Sequence, residues 1–274
     1  MQCMEVWGGN QAVDRGFETP GLRLWVHSRP FGDASGGGDV YYVSSCASGR
    51  ITRLLIADVS GHGELVSRTA VGLRNLMRRN VNYIRQTQFV REMNQQFTSL
   101  SEQGGFATAL VATFFAPNRR FSACNAGHPP PMVYRARQQA WSELTPLERP
   151  QAKPVDTPLG ILGEAEYQQR DVQLDVGDLV LSFTDAVTES SGRDGVQLGQ
   201  NGVLEMLRDI DVADPAKIIL RLVDQIRAVN AGNLQQDDTT LLLCQVTGSG
   251  PSWKSSLLAP FRLLGRVRDH TAVF

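Results

Sequence analysis

Apolar and polar positions alternate with a period of two over residues 22–27. Leu22, Leu24 and Val26 fall on one side, and Arg23, Trp25 and His27 on the other, which predicts a first strand. A glycine cluster, Gly36-Gly37-Gly38-Asp39, opens a strand over 40–44, and the apolar run 51–59 pairs with it as a meander. The break Ser60-Gly61-His62-Gly63 leads into a helix over about 64–79, with Leu65, Ala70, Leu73 and Met77 on its apolar side. A second helix is predicted over 88–100, where Phe89, Met93, Phe97 and Leu100 keep helical spacing. After Gly104-Gly105 the pattern returns to strands at 107–115, 120–125, 131–134, 169–174 and 179–184. Residues 198–209 and 214–229 read as helices, the second with Asp214 as N-cap and Pro215 at its first position. The last strand covers 239–246. Strands in two groups with helix pairs between them argue for an α+β fold with antiparallel sheets.

These elements make one domain over 1–247, and residues 248–274 change character. Gly248-Ser249-Gly250-Pro251 reads as a linker. Beyond it, Lys254, Arg262, Arg266 and Arg268 stand against Asp269, and Phe261, Leu264 and Val267 fit one face of a short amphipathic helix. The preferred reading is a tail that docks on its own domain or frays, over a partner or membrane-surface element. The chain of 274 residues carries 27 lysines and arginines against 28 aspartates and glutamates, so its bulk charge attracts neither nucleic acid nor an acidic membrane. No apolar run reaches the roughly 18 residues that span a bilayer, and the first ten residues lack the pattern of a secretory leader. The four cysteines form no CxxC, and Cys46, Cys124 and Cys244 fall in predicted strands as small hydrophobes. That pattern fits the reducing cytoplasm and excludes a thiolate zinc site.

The candidate chemistry lies in aspartates at the tips of these strands. Asp39 follows three glycines, Asp58 ends the run before Ser60-Gly61, Asp185 ends the strand through Phe183, and Asp237 and Asp238 precede the last strand. A single aspartate beside a glycine is usually a turn or a cap. Several that converge would repel one another and raise their pKa values unless a divalent cation neutralised them. Hard oxygen donors without cysteine select magnesium or manganese over zinc. Two such ions can lower the pKa of a shared water and orient it toward phosphorus. His62 is a candidate general acid, weighed against a loop histidine; His128 is read as holding the turn between two strands. Ser60 sits in no nucleophile elbow, and the glycine cluster lacks the lysine and serine of a Walker loop. Arg74, Arg78 and Arg79 are read as a solvated helix face, with an acidic phosphoprotein as the alternative.

The blocks Gly37-Gly38-Asp39-Val40-Tyr41, Asp58-Val59-Ser60-Gly61-His62-Gly63, Asn125-Ala126-Gly127-His128-Pro129-Pro130, Pro158-Leu159-Gly160-Ile161, Gly177-Asp178-Leu179, Thr184-Asp185-Ala186-Val187-Thr188-Glu189 and Asp237-Asp238-Thr239-Thr240 resemble, in order, the signature of one family. It is the SpoIIE/RsbU branch of the metal-dependent (PPM, phosphatase 2C-like) serine/threonine phosphatases. The resemblance runs from about residue 20 to 246. It implies a four-layer αββα sandwich, two antiparallel sheets flanked by helix pairs, with two Mn2+ or Mg2+ ions at one edge. By motif position Asp58 would bridge the ions and the Val59 carbonyl would bind one of them. Asp185 and Asp237 would bind the other, Asp39 would assist, and Asp238 would support the set. The implied reaction is hydrolysis of phosphoserine or phosphothreonine by a metal-bridged hydroxide, without a covalent intermediate. The chain contains no Cys-x5-Arg loop, in agreement.

The implied substrate is a regulatory phosphoprotein such as an STAS-type anti-sigma-factor antagonist. The helices over 64–100 resemble the family's regulatory pair, where an activating partner would act, and a homodimer through them is one arrangement. Only about 20 residues precede the first expected strand, so input is expected from another chain, or the enzyme is constitutive. Position 186 is alanine where glycine is usual, and the stretch 31–36 is longer than usual. Two rival readings stand beside this one: a non-catalytic module of the same fold that binds or senses in a partner-switching pathway, and an unrelated two-metal hydrolase of small molecules.

Overall fold

Strands β1 (Cys3–Gly9), β2 (Val13–Thr19), β3 (Leu22–Arg29), β4 (Asp39–Cys46) and β5 (Ile51–Val59) open the fold, before helices α1 (Glu64–Asn80) and α2 (Gln86–Leu100). Strands β6 (Ala107–Phe115), β7 (Arg120–Ala126), β8 (Met132–Arg135), β9 (Ala140–Glu143), β10 (Arg170–Gln173) and β11 (Leu179–Phe183) follow. The chain continues with α3 (Asp185–Glu189), α4 (Gly199–Arg208), α5 (Ile218–Val229), β12 (Thr239–Val246) and β13 (Arg268–Asp269). The computed structural model describes residues 3–46, 48–61, 63–101, 105–144, 155–250 and 268–270, with the backbone alone at 3 and 4.

The strands form two sheets. One runs β10-β7-β6-β5-β4-β1-β13, the other β2-β3-β12-β11-β8-β9. Alternation along each strand sorts side chains into three apolar layers. On β5, Leu55, Ala57 and Val59 join Leu73, Met77, Phe89, Met93 and Phe97 of α1 and α2. Leu54 and Ile56 face Leu24, Val26, Val180 and Leu242 of the other sheet. Beyond that sheet, Leu181, Phe183, Leu241 and Leu243 pack on Val203, Leu207, Leu222 and Ile226 of α4 and α5. The order helix, sheet, sheet, helix is the expected αββα sandwich. Burial on both faces explains why β4, β5 and β12 read as nearly continuous apolar runs.

Several elements differ from expectation. Two strands, β1 and β2, precede residue 22, where none is predicted. β2 lies at a sheet edge and exposes Asp14, Arg15, Gly16 and Glu18, so it carries little apolar signal. Strand β9 and helix α3, at four and five residues, are too short for periodicity to show. Leu65 is exposed rather than part of the α1 face, which begins with half-buried Val66 and is fully buried from Ala70. Residues 215–217 form a 3-10 turn that leads into α5, with Asp214 at the N-cap and Pro215 first as expected; the Asp214 carboxylate pairs with Lys217 at 3.0 Å and makes no capping hydrogen bond.

In the tail, β13 pairs in parallel with β1. The His270 N–H donates to the Val6 carbonyl at 2.7 Å, and its ring stacks on Trp7 with centroids 5.0 Å apart. Asp269 accepts two hydrogen bonds from the Arg74 guanidinium, at 2.7 and 2.9 Å, and one from Arg78 at 3.2 Å. Arg74 is therefore buried rather than part of a solvated face, whereas Arg78 and Arg79 are exposed as expected. The helix expected around Phe261, Leu264 and Val267 lies outside the described residues. Asp269→Asn is expected to lower stability by about 1–2 kcal/mol, because charge-assisted hydrogen bonds to a buried guanidinium are lost. Thermal melting checks this; an unchanged midpoint would mean the docked strand contributes nothing to the fold.

Candidate metal centre

The strand register builds the site. Asp39 on β4 lies opposite Asp58 on β5, and Asp58 lies opposite Thr108 on β6. Neighbours at 40, 57, 59, 107 and 109 face α1 and α2, so the alternation turns this row of three toward the other sheet. From that sheet Thr184 and Thr240 approach it. Asp39 is 3% exposed, and its carboxylate accepts the Thr184 hydroxyl at 2.7 Å. Thr184 in turn accepts the Thr240 N–H at 3.0 Å. Asp185 opens α3 at the end of β11, half-buried, and Asp237 stands exposed before β12.

Asp238 takes a different part. Its carboxylate accepts backbone N–H groups from Phe31 at 2.6 Å, from Gly38, and from Asp39 at 3.4 Å. It thereby ties β12 to the glycine loop that presents Asp39. Gly37 has no room for a side chain, since a Cβ there would stand 2.2 Å from Asp238 Oδ1. The buried Asn10 amide donates to the Gly37 carbonyl at 2.8 Å and to Ser67 Oγ at 2.8 Å, joining the loop to α1.

The carboxylates act on one another. Burial raises the Asp58 pKa to about 7, with Asp185, Asp237, Asp238 and Glu189 adding repulsion. Burial and the Asp58 charge push Asp39 well above the usual carboxylate range. Asp185 is raised by burial and then by Glu189 and Asp237. Asp237 is raised by burial, with Asp238 adding to it. Side chains from β4, β5, α3 and the segment before β12 thus share one field, and a divalent cation among them would relieve the repulsion. The donors are all hard oxygens, which suits magnesium or manganese. Among the described residues, however, no three His, Cys, Asp or Glu side chains stand close enough together to hold an ion as they are. Asp39 is turned to Thr184, and Asp238 to the backbone.

The Val59 backbone belongs to the same edge, where its carbonyl lies 2.8 Å from the position a Gly38 Cβ would take. His62 lies outside the described residues. His128 is brought to the same end of the sandwich, with Nδ1 2.9 Å from Thr108 Oγ1, a placement no sequence pattern suggested. Glu189 was not singled out either; its helical spacing of four from Asp185 was the available signal. A polar cavity of about 150 Å³ opens beside Asp237, lined by Glu189, Ser190, Gln197 and Asn233. A larger groove, about 860 Å³, lies between α4 and α5 and includes none of the clustered aspartates.

A sandwich of this topology with acidic strand tips at one edge defines the phosphatase 2C-like fold. The family model of Stage II sporulation protein E (SpoIIE) matches residues 48–247, and the chain belongs to that family. The chain is similar to phosphoserine phosphatase RsbU of Bacillus subtilis, 22% identical over 160 residues, which is 58% of this chain and 45% of RsbU. It thus spans about half the length of that relative. In structure it is similar to the RsbU and RsbW domains of Rv1364c from Mycobacterium tuberculosis (TM-score 0.68, 24% identity), covering 88% of this chain and 64% of that one. A further neighbour is the catalytic domain of the serine/threonine protein phosphatase PstP in complex with two manganese ions (TM-score 0.55, 15% identity; 82% and 98% covered). Among the described residues, no helix is long and apolar enough to cross a membrane.

Proposed function

We propose that this chain is a metal-dependent protein serine/threonine phosphatase of the RsbU kind. The observation that carries the reading is the convergence of Asp39, Asp58, Asp185 and Asp237 from two sheets onto one edge, with their pKa values raised together. Asp58, Asp185, Asp237, Asp39 and the Val59 carbonyl are the proposed ligands of two Mn2+ or Mg2+ ions. Bound there, the ions would supply an acidified water and neutralise charge on the phosphoryl group. PstP, which shares the fold, holds two manganese ions. Asp238 holds the loop that carries Asp39, and Thr184 orients its carboxylate. The proposed substrate is a phosphoserine or phosphothreonine on a regulatory protein such as an STAS-type anti-sigma-factor antagonist. The activity of RsbU, a phosphoserine phosphatase, supports the reading of the substrate bond. Helices α1 and α2 are the proposed place of action for an activating partner, since Asn10 links Ser67 of α1 to the loop before Asp39.

One observation favours the second reading, a non-catalytic module of the same fold: the carboxylates do not stand as a ready cage for an ion. Hydrolysis of para-nitrophenyl phosphate and a phosphoserine peptide, with manganese, magnesium or EDTA, separates the two. Activity with manganese that EDTA abolishes is expected. Absence of manganese binding by calorimetry would sink the catalytic reading.

A further inference from the structure

We propose that His128 is a positioning residue, a cross-sheet clamp that sets the spacing of the two sheets at the cleft and hence the reach between Asp58 and Asp185. The inference rests on the phosphatase reading above.

His128 lies where the chain passes from one sheet to the other. Strand β7 ends at Ala126, opposite Ala109 of β6, so Gly127 comes level with Thr108. Strand β8 begins at Met132, opposite Leu181 of β11. The crossover between them runs along the edge that carries the aspartates. Its turn does not need the imidazole. The Asn125 side chain closes it, accepting the His128 N–H at 2.7 Å and donating to the His128 carbonyl at 2.7 Å. Gly127 adopts φ +69°, and a Cβ there would meet the Pro158 ring at 2.6 Å. The backbone of the turn is thus held by Asn125 and Gly127. This corrects the sequence reading, in which His128 itself held the turn.

The residue is 4% exposed, and its ring is turned to Thr108, on the face of β6 directed at the other sheet. Nδ1 lies 2.9 Å from the Thr108 hydroxyl, on the sheet that carries Asp58 and in direct register with it. The Phe183 carbonyl, on the other sheet and two residues before Asp185, is near enough to favour a proton on the ring. Nε2 is buried and closes no hydrogen bond of ordinary geometry with it. A neutral imidazole has one donor and one acceptor. With Nδ1 as acceptor of the Thr108 hydroxyl, a neutral ring carries its proton on Nε2, and in the proposed clamp this N–H is directed to the Phe183 carbonyl without closing an ordinary hydrogen bond. The ring then spans the gap from the neighbour of one proposed ligand to the neighbour of another. The Thr184–Asp39 hydrogen bond is a second cross-sheet tie at the same edge. Groups that orient ligands without touching the ion typically change metal affinity by tenfold to a hundredfold when removed.

The competing account is a core histidine that only adds stability. Thr108→Val, His128→Leu and His128→Gln distinguish the two in a calorimetric titration with Mn2+, run beside thermal melting of the metal-free proteins. Thr108→Val deletes one hydroxyl and is expected to fold. The clamp predicts about tenfold weaker Mn2+ binding in Thr108→Val and His128→Leu. It also predicts partial recovery in His128→Gln, whose amide can still donate across the gap, and a double variant no weaker than His128→Leu. Faster amide exchange at 184–188 in the metal-free variants is the readout independent of metal. Unchanged Mn2+ affinity in Thr108→Val and His128→Leu, with melting points lowered, would overturn the clamp and leave the phosphatase reading standing. Wild-type protein that bound no Mn2+ would overturn both.

Discussion

Asp58→Ala is expected to reduce manganese-dependent hydrolysis of para-nitrophenyl phosphate by about a thousandfold or more. Each 1.4 kcal/mol of lost transition-state stabilisation is about tenfold in rate, and a catalytic ion contributes several kcal/mol. Asp58 is the central carboxylate of the cluster: Asp39 lies beside it in register, and Asp185, Asp237, Asp238 and Glu189 all act on its charge. The metal-free protein should respond in the opposite sense. The folded pKa of Asp58, about 7, lies above the roughly 3.9 of an aspartate in an unfolded chain. The unfolded chain therefore loses this proton first as pH rises. Asp58 costs nothing below about pH 4; its destabilising effect grows above that and is complete once pH passes about 7. The full effect is on the order of 4 kcal/mol from the size of the shift. Metal-free Asp58→Asn should thus melt higher than wild type at pH 8 and alike at pH 4. Manganese should raise the wild-type melting point and leave the variant unmoved. Activity comparable to wild type in Asp58→Ala, measured with excess manganese, would sink the proposed role.

Asp237→Asn and Asp238→Asn should fail in different ways, although the two residues are adjacent and chemically identical. Asp237 is exposed and, among the described residues, its carboxylate accepts the Asp238 N–H alone, at 2.7 Å, so its replacement should leave the melting point nearly unchanged. Manganese affinity and hydrolysis should drop sharply. The Asp238 carboxylate is buried against the N–H groups of Phe31, Gly38 and Asp39. An asparagine there would turn an NH2 toward one of those donors. Leaving a buried donor unpaired costs about 1–3 kcal/mol, and more when the acceptor was charged. Asp238→Asn should therefore lower stability by about 3 kcal/mol and carry Asp39 out of place with it. Gly37→Ala should do similar damage from the other side, since its Cβ would occupy the space of the Asp238 carboxylate. Melting curves and manganese titrations of the three variants check this. Equal losses of stability in Asp237→Asn and Asp238→Asn would remove the distinction.

The signature blocks also serve the fold in ways their residue types do not announce. Asp178 of Gly177-Asp178-Leu179 is buried and accepts from Arg135, Ala136 and Asp175 at 2.8, 2.9 and 3.0 Å, anchoring the turn into β11. Leu159 of Pro158-Leu159-Gly160-Ile161 pairs with Ala107, and Asn94 of α2 accepts the Gly160 N–H at 2.9 Å. That block thus pins the second helix to the edge of the sheet beside the cleft. Arg53 is buried in the middle of β5, bonded to Gln86, Thr113 and the Tyr83 carbonyl, with Phe89 5.0 Å from its guanidinium. Within an apolar run it reads as an interruption; in the fold it holds the α1–α2 turn against the sheet.

Local pattern was enough for the long, two-sided elements. The runs at 51–59, 107–115 and 239–246 match β5, β6 and β12 to the residue, because strands buried on both faces must be apolar throughout. The spacing of Phe89, Met93 and Phe97 located α2 because a helix on a sheet buries one stripe. The order of the acidic blocks was sufficient to suggest the family. Strands β1 and β2 were not legible: β2 is an edge that needs no apolar alternation, and β1, though paired on both sides, offers only Val6 and Trp7 between Glu5 and two glycines. Nor could the chain alone separate Asp237 from Asp238. That depends on which carboxylate meets Phe31 and Gly38, about 200 residues away along the chain. The same holds for His128, whose ring meets Thr108 only once the crossover after β7 is laid beside β6. Periodicity reports which side of an element is buried. Which charges and hydrogen-bonding groups meet across two sheets is decided by register and packing, and these exist only in the folded chain.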